Sequence, residues 1–280
     1  MLFLEFEFGK LLSKKLASVL AILLVSSMLS NCVTTTTGGF MADASESRAA
    51  TDYIQLALAY FDNGDMPGAR RHVNNALDID DRISDAYMVL AMVFQREGDL
   101  DLADTNYRRA ISLDQGNSSA RNNYAAMLFS QERFRESYEQ LERVANDTNY
   151  EGRSLVFEGL GRSALRLGRQ EDAKVAFQRA LQLNENLFIA PLELALIYFD
   201  QKDYLLARQY YQNYLTTIAF LQLPHTPRAL PHTPRALLAS IQIEGYFQNE
   251  ELVENFSLVL TTLHSTSPEF QTFQRLSNAN

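Results

Sequence analysis

The chain has 280 residues, of which 46% are hydrophobic and 21% charged, which is typical of a folded protein with a core. Its net charge of −9 argues against binding to nucleic acid and against electrostatic attachment to anionic lipid, because both carry negative charge. The single cysteine, Cys32, excludes an internal disulfide bond.

The first 31 residues have the pattern of a secretory signal peptide. Lys14 and Lys15 precede an uncharged apolar run over residues 16–29, which is too short to span a bilayer but suits the apolar region of a signal. The run is followed at once by Leu29-Ser30-Asn31-Cys32, which resembles a lipobox, the motif in which the cysteine thiol is acylated and becomes the mature N-terminus. We therefore expect cleavage after residue 31 and lipidation of Cys32.

The alternative is an ordinary secretory signal that happens to contain a cysteine, and Asn31 departs from the Gly, Ala or Ser usual before a lipidated cysteine. Val33 follows where inner-membrane lipoproteins typically carry Asp, so the resemblance implies sorting to the outer membrane, facing the periplasm. Residues 32–49 are rich in Thr, Ser and Gly without a period, which predicts a lipidated N-terminus followed by a flexible tether.

From residue 50 the sequence repeats with a period of 34, the length of a tetratricopeptide repeat. Units begin near residues 50, 84, 118, 154, 188 and 233. The pattern predicts an all-α fold, a right-handed superhelical solenoid of about six helix-turn-helix repeats over residues 50–264, with a C-terminal tail over 265–280. Small residues recur where paired helices cross, and Gly-Asp pairs such as Gly98-Asp99 mark a left-handed helix end and the cap of the next helix.

Two regions depart from this pattern. In the third unit Arg121, Ser137 and Val144 do not fit the repeat. Before the sixth unit, residues 223–229 and 230–236 are both LPHTPRA, a duplication that its prolines predict to be a neutral loop extension.

No sequence motif indicates catalysis. A phosphate-binding loop, a nucleophile elbow and an HExxH motif are all missing, and the four histidines are scattered without carboxylates at ligand spacing. We expect a binding scaffold and not an enzyme, with no cofactor, no metal site and no small-molecule substrate.

The mature chain resembles the type IV pilus biogenesis lipoproteins of the PilF/PilW type, which are secretin pilotins. The segments that carry the resemblance are Tyr53-Ile54-Gln55-Leu56, Val93-Phe94-Gln95, Leu102-Ala103-Asp104 with Tyr107-Arg108, Asn122-Asn123-Tyr124-Ala125, Val156-Phe157-Glu158-Gly159-Leu160-Gly161, Ala207-Arg208-Gln209-Tyr210-Tyr211 and Ser267-Pro268-Glu269-Phe270. The resemblance implies an outer-membrane protein that binds the type IV pilus secretin subunit and promotes its localisation and assembly. The alternatives are a general periplasmic adaptor lipoprotein that docks peptidoglycan hydrolases or synthases, and a regulatory subunit of an envelope enzyme.

In the tetratricopeptide architecture the first helix of each unit lines an inner groove, mainly through its fifth, ninth and twelfth residues. In the first three units these positions, which include the small Ala126, predict a partner-binding surface, and Asn123 beside Asn122 could also hydrogen-bond the partner's backbone. The apolar, methionine and amide side chains of this surface are Ile54, Leu58, Phe61, Met88, Met92, Gln95, Asn122, Asn123 and Phe129. Such a surface suits an amphipathic helix or an apolar segment of the partner. The alternative is that several of these side chains pack against neighbouring helices.

Overall fold

The computed structural model describes residues 39–221 and 233–278, and within these ranges it contains thirteen α-helices and no strand. In chain order the helices are α1 Gly39–Asp62, α2 Met66–Ile79, α3 Ser84–Glu97, α4 Leu100–Leu113, α5 Ser118–Ser130, α6 Phe134–Ala145, α7 Arg153–Arg166, α8 Gln170–Leu183, α9 Ile189–Asp200, α10 Tyr204–Leu221, α11 Pro234–Tyr246, α12 Glu250–Leu263 and α13 Pro268–Ser277. None of the helices in the described ranges has the length and hydropathy needed to cross a membrane. The expected signal peptide, Cys32 and the first LPHTPRA copy lie outside the described residues.

The first twelve helices form six consecutive pairs, which confirms the all-α tetratricopeptide solenoid predicted from the period. One turn geometry recurs in all six pairs. The second residue before each second helix has a positive φ, between 57° and 88°; these residues are Gly64, Gly98, Glu132, Gly168, Lys202 and Gln248. The next residue donates its backbone N–H to the carbonyl five residues earlier, at 2.9–3.0 Å in every repeat. This is the Schellman arrangement, which satisfies carbonyls that a helix end would leave unpaired.

Small residues lie where the two helices of a repeat cross. Ala57, Ala91, Ala125 and Ala195 on first helices are fully buried, as are Ala69, Ala103, Ala173 and Ala207 on second helices. Gly161 takes this place in the fourth repeat, where an added Cβ would lie 2.6 Å from Cε1 of Phe177. The crossing distance is therefore set by the absence of a side chain at this point.

The third repeat is regular, although its sequence matches the repeat pattern only weakly. Ser137 occupies the small position of α6, is fully buried and donates its hydroxyl to the Ala125 carbonyl at 2.8 Å. Val144 is fully buried as well. Arg121 is also buried, and its guanidinium donates to the Gln115 carbonyl and the Gln140 amide oxygen. The three residues that do not fit the repeat pattern are thus accommodated by hydrogen bonds and apolar packing.

Both ends of the repeat region differ from expectation. Helix α1 begins at Gly39, so residues 39–49 of the expected tether are helical; after Gly39 this stretch has mostly residues that tolerate a helix, including Met41 and several alanines. The expected tail contains α13, in which Ser267 caps the helix through its side chain. Phe270 and Phe273 of α13 pack against a buried cluster that includes Leu237 and Leu260.

The second LPHTPRA copy is not only a loop. Thr233 caps α11 by accepting from the Ala236 N–H, and Pro234 opens the helix, where its missing N–H costs nothing. Arg235 pairs with Glu193 at 2.5 Å, and Ala236 is fully buried. The last four residues of the duplication therefore form the cap and first turn of the sixth repeat.

Candidate functional site

The predicted groove residues divide into buried and accessible ones. Ile54, Phe61 and Met88 expose only 5%, 8% and 7% of their surface and belong to the hydrophobic core. Here the prediction needs correction, because the fifth position of the first two repeats faces the packed interior between helices. Leu58 is half-buried and packs against the same core.

Four of the predicted residues lie around one depression. Phe61, Met92, Gln95 and Asn123 line a cavity of about 410 Å³ together with Arg96, Tyr107 and Ala126. Asn123 donates its amide to the Met92 sulfur at 3.6 Å, and the Tyr107 hydroxyl donates to Gln95 at 3.0 Å. The Arg96 guanidinium lies over the Phe61 ring, 4.6 Å from its centroid. Apolar side chains and hydrogen-bonded side-chain amides therefore line this cavity together.

The remaining two predicted residues line a second cavity, of about 380 Å³, between α5 and α7. Asn122 and Phe129 form one wall, and Leu155, Glu158 and Arg162 form the other. The Phe129 ring contacts Phe134 edge-on at 5.1 Å and carries the Arg162 guanidinium 4.6 Å from its centroid. Leu155 is 58% exposed, so the rim of this cavity is apolar.

The exposed Ala126 lines both cavities. A single small residue separates them, so they form one continuous surface along the first helices of repeats one to four. We call this surface the first-helix groove, defined by the residues that line the two cavities. It has the alternation of apolar and hydrogen-bonding groups with which proteins bind a segment of another chain.

Glu158 is the carboxylate of the groove, and it is withdrawn from water. It is 7% exposed, and its Oε2 accepts the backbone N–H of Ala190 at 3.2 Å. Burial raises the pKa of the Glu158 carboxyl, while the Ala190 hydrogen bond and the nearby Arg162 act in the opposite direction.

The sequence prediction missed Glu158 and Arg162 because it stopped at the third repeat. The same count of fifth and ninth residues applied to the unit beginning at Ser154 selects both. Arg96 and Leu155 do not occupy counted positions, and only the packing shows that they line the groove.

Within residues 39–221 and 233–278, no group of three or more His, Cys, Asp or Glu side chains is placed to hold a metal ion. The other two buried glutamates of the described residues form ion pairs with arginines, Glu193 with Arg235 and Glu244 with Arg208.

Comparison with known proteins identifies both the repeat and a relative that spans most of the chain. Residues 159–220 and 84–117 match family models of the tetratricopeptide repeat, a family typical of protein-binding scaffolds. The type IV pilus assembly protein PilF of Pseudomonas aeruginosa is 33% identical over 247 residues, which cover 88% of this chain and 93% of the relative.

Solved structures agree with that comparison. The structure of Pseudomonas aeruginosa PilF matches with a TM-score of 0.73 and 34% identity, covering 82% of this chain and 99% of that one. The crystal structure of PilW, a widely conserved type IV pilus biogenesis factor, matches with a TM-score of 0.63 over 80% of this chain and 98% of its own. At 22% identity the likeness to PilW shows a shared fold.

Proposed function

Because the chain belongs to the family of the type IV pilus assembly protein PilF, we propose that it is an outer-membrane lipoprotein that binds the type IV pilus secretin subunit and promotes its localisation and assembly. The secretin is the partner that the family resemblance implies. The observation that supports binding is the first-helix groove, which brings Met92, Asn122, Asn123 and Phe129 onto one accessible surface.

The chemistry of the groove suits a segment of a protein. Met92 is flexible and polarizable, so it adapts to an apolar side chain of the partner. The amides of Asn122 and Asn123 both donate and accept hydrogen bonds, as a polypeptide backbone requires.

The groove is tested by charged substitutions at its apolar positions. Met92→Asp and Leu155→Asp should each abolish binding of the purified secretin subunit, since a carboxylate would have to be desolvated against an apolar segment. The matched control is Val175→Asp on α8, because Val175 is 63% exposed and lies on a second helix away from the groove. Normal binding by both folded groove variants would refute this location, and a variant that loses helix content by circular dichroism would identify its residue as core.

The partner itself is tested in cells. A photo-crosslinking amino acid at Ala126 would sit between the two cavities without disturbing the core, because Ala126 is exposed. Recovery of the secretin subunit is the expected result. Recovery of a peptidoglycan hydrolase or synthase in its place would support the general periplasmic adaptor.

The lipid anchor is the second part of the proposal. Several acyl chains on Cys32 would hold the protein durably at the membrane, whereas one chain alone anchors only marginally. Cys32→Ser should leave the protein unprocessed or release it from the outer-membrane fraction. A processed mutant that fractionates like the wild type would remove the lipoprotein assignment and leave the groove proposal untouched.

A further inference from the structure

Three glutamates are buried in the repeat region, and one differs from the other two. Glu193 pairs with Arg235 at 2.5 Å, and Glu244 pairs with Arg208 at 2.9 Å. Glu158 is 7% exposed, yet no described lysine or arginine forms an ion pair with its carboxylate. An ionised carboxylate withdrawn from water without a cation is unfavourable, so the position calls for an explanation.

The cation that acts on Glu158 is Arg162, and its guanidinium contacts a different side chain. Arg162 lies one helical turn after Glu158 on α7. Its guanidinium is stacked over the Phe129 ring on the opposite wall, 4.6 Å from the centroid. It attracts the carboxylate across space without a direct contact, and Glu193 opposes that attraction.

Glu158 uses one carboxylate oxygen for the fold. Oε2 accepts the N–H of Ala190 in the first turn of α9, a helix whose N-cap residue, Phe188, offers no side-chain hydrogen bond. The second oxygen, Oε1, has no hydrogen-bond donor among the residues that the structure describes, and the side chain lines the 380 Å³ cavity of the groove. Across this cavity the Asn122 amide likewise has no described partner.

We propose that this cavity binds a basic side chain, lysine or arginine, carried by the partner segment that occupies the first-helix groove, with Glu158 as its counter-ion. The inference rests on the proposed function for the identity of that partner. Asn122 supplies a hydrogen-bond acceptor, and the exposed Leu155 supplies an apolar contact for the methylene stem of the side chain.

The charge of Glu158 separates this role from a purely structural one. Glu158→Gln keeps an oxygen that accepts from Ala190 and removes the negative charge. Affinity for the secretin subunit, measured by titration with the full chain, should fall about tenfold or more, as expected when one member of a buried charge pair is lost. The matched control is Glu139→Gln, which makes the same change in net charge at an exposed position of α6 and should leave affinity unchanged.

A second variant distinguishes a loss of binding from a folding defect caused by the change at Glu158. Asn122→Leu leaves Glu158 in place and should weaken binding several-fold, with an unchanged circular dichroism spectrum. Glu158→Gln and Asn122→Leu proteins that fold and bind within twofold of the wild type would overturn the proposal.

A random peptide library displayed on phage tests the pocket independently of the secretin. The wild-type chain should enrich peptides with lysine or arginine beside apolar residues, and the Glu158→Gln chain should lose the basic preference. If these peptides are enriched but the secretin subunit does not bind, the proposed function fails and the basic-side-chain pocket stands. Selection of no peptide, or the same basic preference on both chains, would overturn the inference.

Discussion

The left-handed residue that ends the first helix of each repeat offers a sharp test of the turn. Gly98 has φ +88°, and a Cβ added there would meet nothing within 4 Å. Gly98→Ala therefore creates no steric clash, and its cost comes from the backbone alone. A Cβ in this conformation lowers the free energy of unfolding by about 1–2 kcal/mol. Alanine has less conformational entropy than glycine in the unfolded chain, which offsets about 0.5–1 kcal/mol of that loss.

The expected net loss for Gly98→Ala is about 1 kcal/mol, or a fall of about 2–4 °C in the melting temperature for a chain of this size. Urea and thermal unfolding followed by far-UV circular dichroism measure both quantities. Gly245→Ala is the matched control, because Gly245 lies inside α11 without a positive φ and its Cβ would meet Val253 at an ordinary 3.9 Å. That change should stabilise the protein by about 0.5–1 kcal/mol.

Lys202 supplies the reciprocal experiment, since it adopts φ +64° at the same place in the fifth repeat. Lys202→Gly should stabilise the protein by about 0.5–1 kcal/mol, because relief of the left-handed strain exceeds the added unfolded-state entropy. Equal stability of the wild type, Gly98→Ala and Lys202→Gly would refute the reasoning, and so would destabilisation by both Gly98→Ala and Gly245→Ala.

Three further changes test packing, charge and the duplication. Gly161→Ala should lose about 1–3 kcal/mol by overpacking, because its Cβ would lie 2.6 Å from the buried Phe177 ring; an unchanged urea midpoint would contradict this. Burial raises the folded-state pKa of Glu158, so its ionised form destabilises the fold above that pKa. Glu158→Gln should therefore have a free energy of unfolding equal to or above that of the wild type at neutral pH. The difference between the two proteins should shrink as the pH falls through that pKa, and a difference that grows on acidification would contradict this cause. Deletion of residues 230–236 should shift the melting temperature little, since the remaining copy restores the cap, Pro and Arg before Leu237; a loss of several degrees would show that the connecting length matters.

The repeat architecture follows from the sequence because its determinants are local. A 34-residue period, small residues at helix crossings and, in the first two repeats, Gly-Asp turns specify the helix pairs from residues close together in the chain. The structures of the third repeat and of the duplication could not be predicted in this way. Ser137 fits its small position only because the Ala125 carbonyl lies within reach, and Arg235 belongs to a helix turn that pairs with Glu193.

The binding surface shows where sequence reasoning stops. Counting positions along first helices selects Asn122 and Phe129, which line the groove, but it equally selects Ile54 and Met88, which the neighbouring helices cover. Sequence position determines which face of a helix a residue occupies. Whether that face is covered depends on how closely the next helix packs, which the side chains of both helices decide together.

The sequence by itself determined the helical class, the number of repeats and the turns at Gly64, Gly98 and Gly168, since residues within one repeat make these interactions. Only the tertiary structure decided that Glu158 lacks a cation while Glu193 and Glu244 have one. In the sequence Arg162 stands four residues after Glu158, a spacing that places the two side chains on one helix face. In the fold the Phe129 ring from another repeat holds its guanidinium instead, because an aromatic face brought near by packing competes for the same cation.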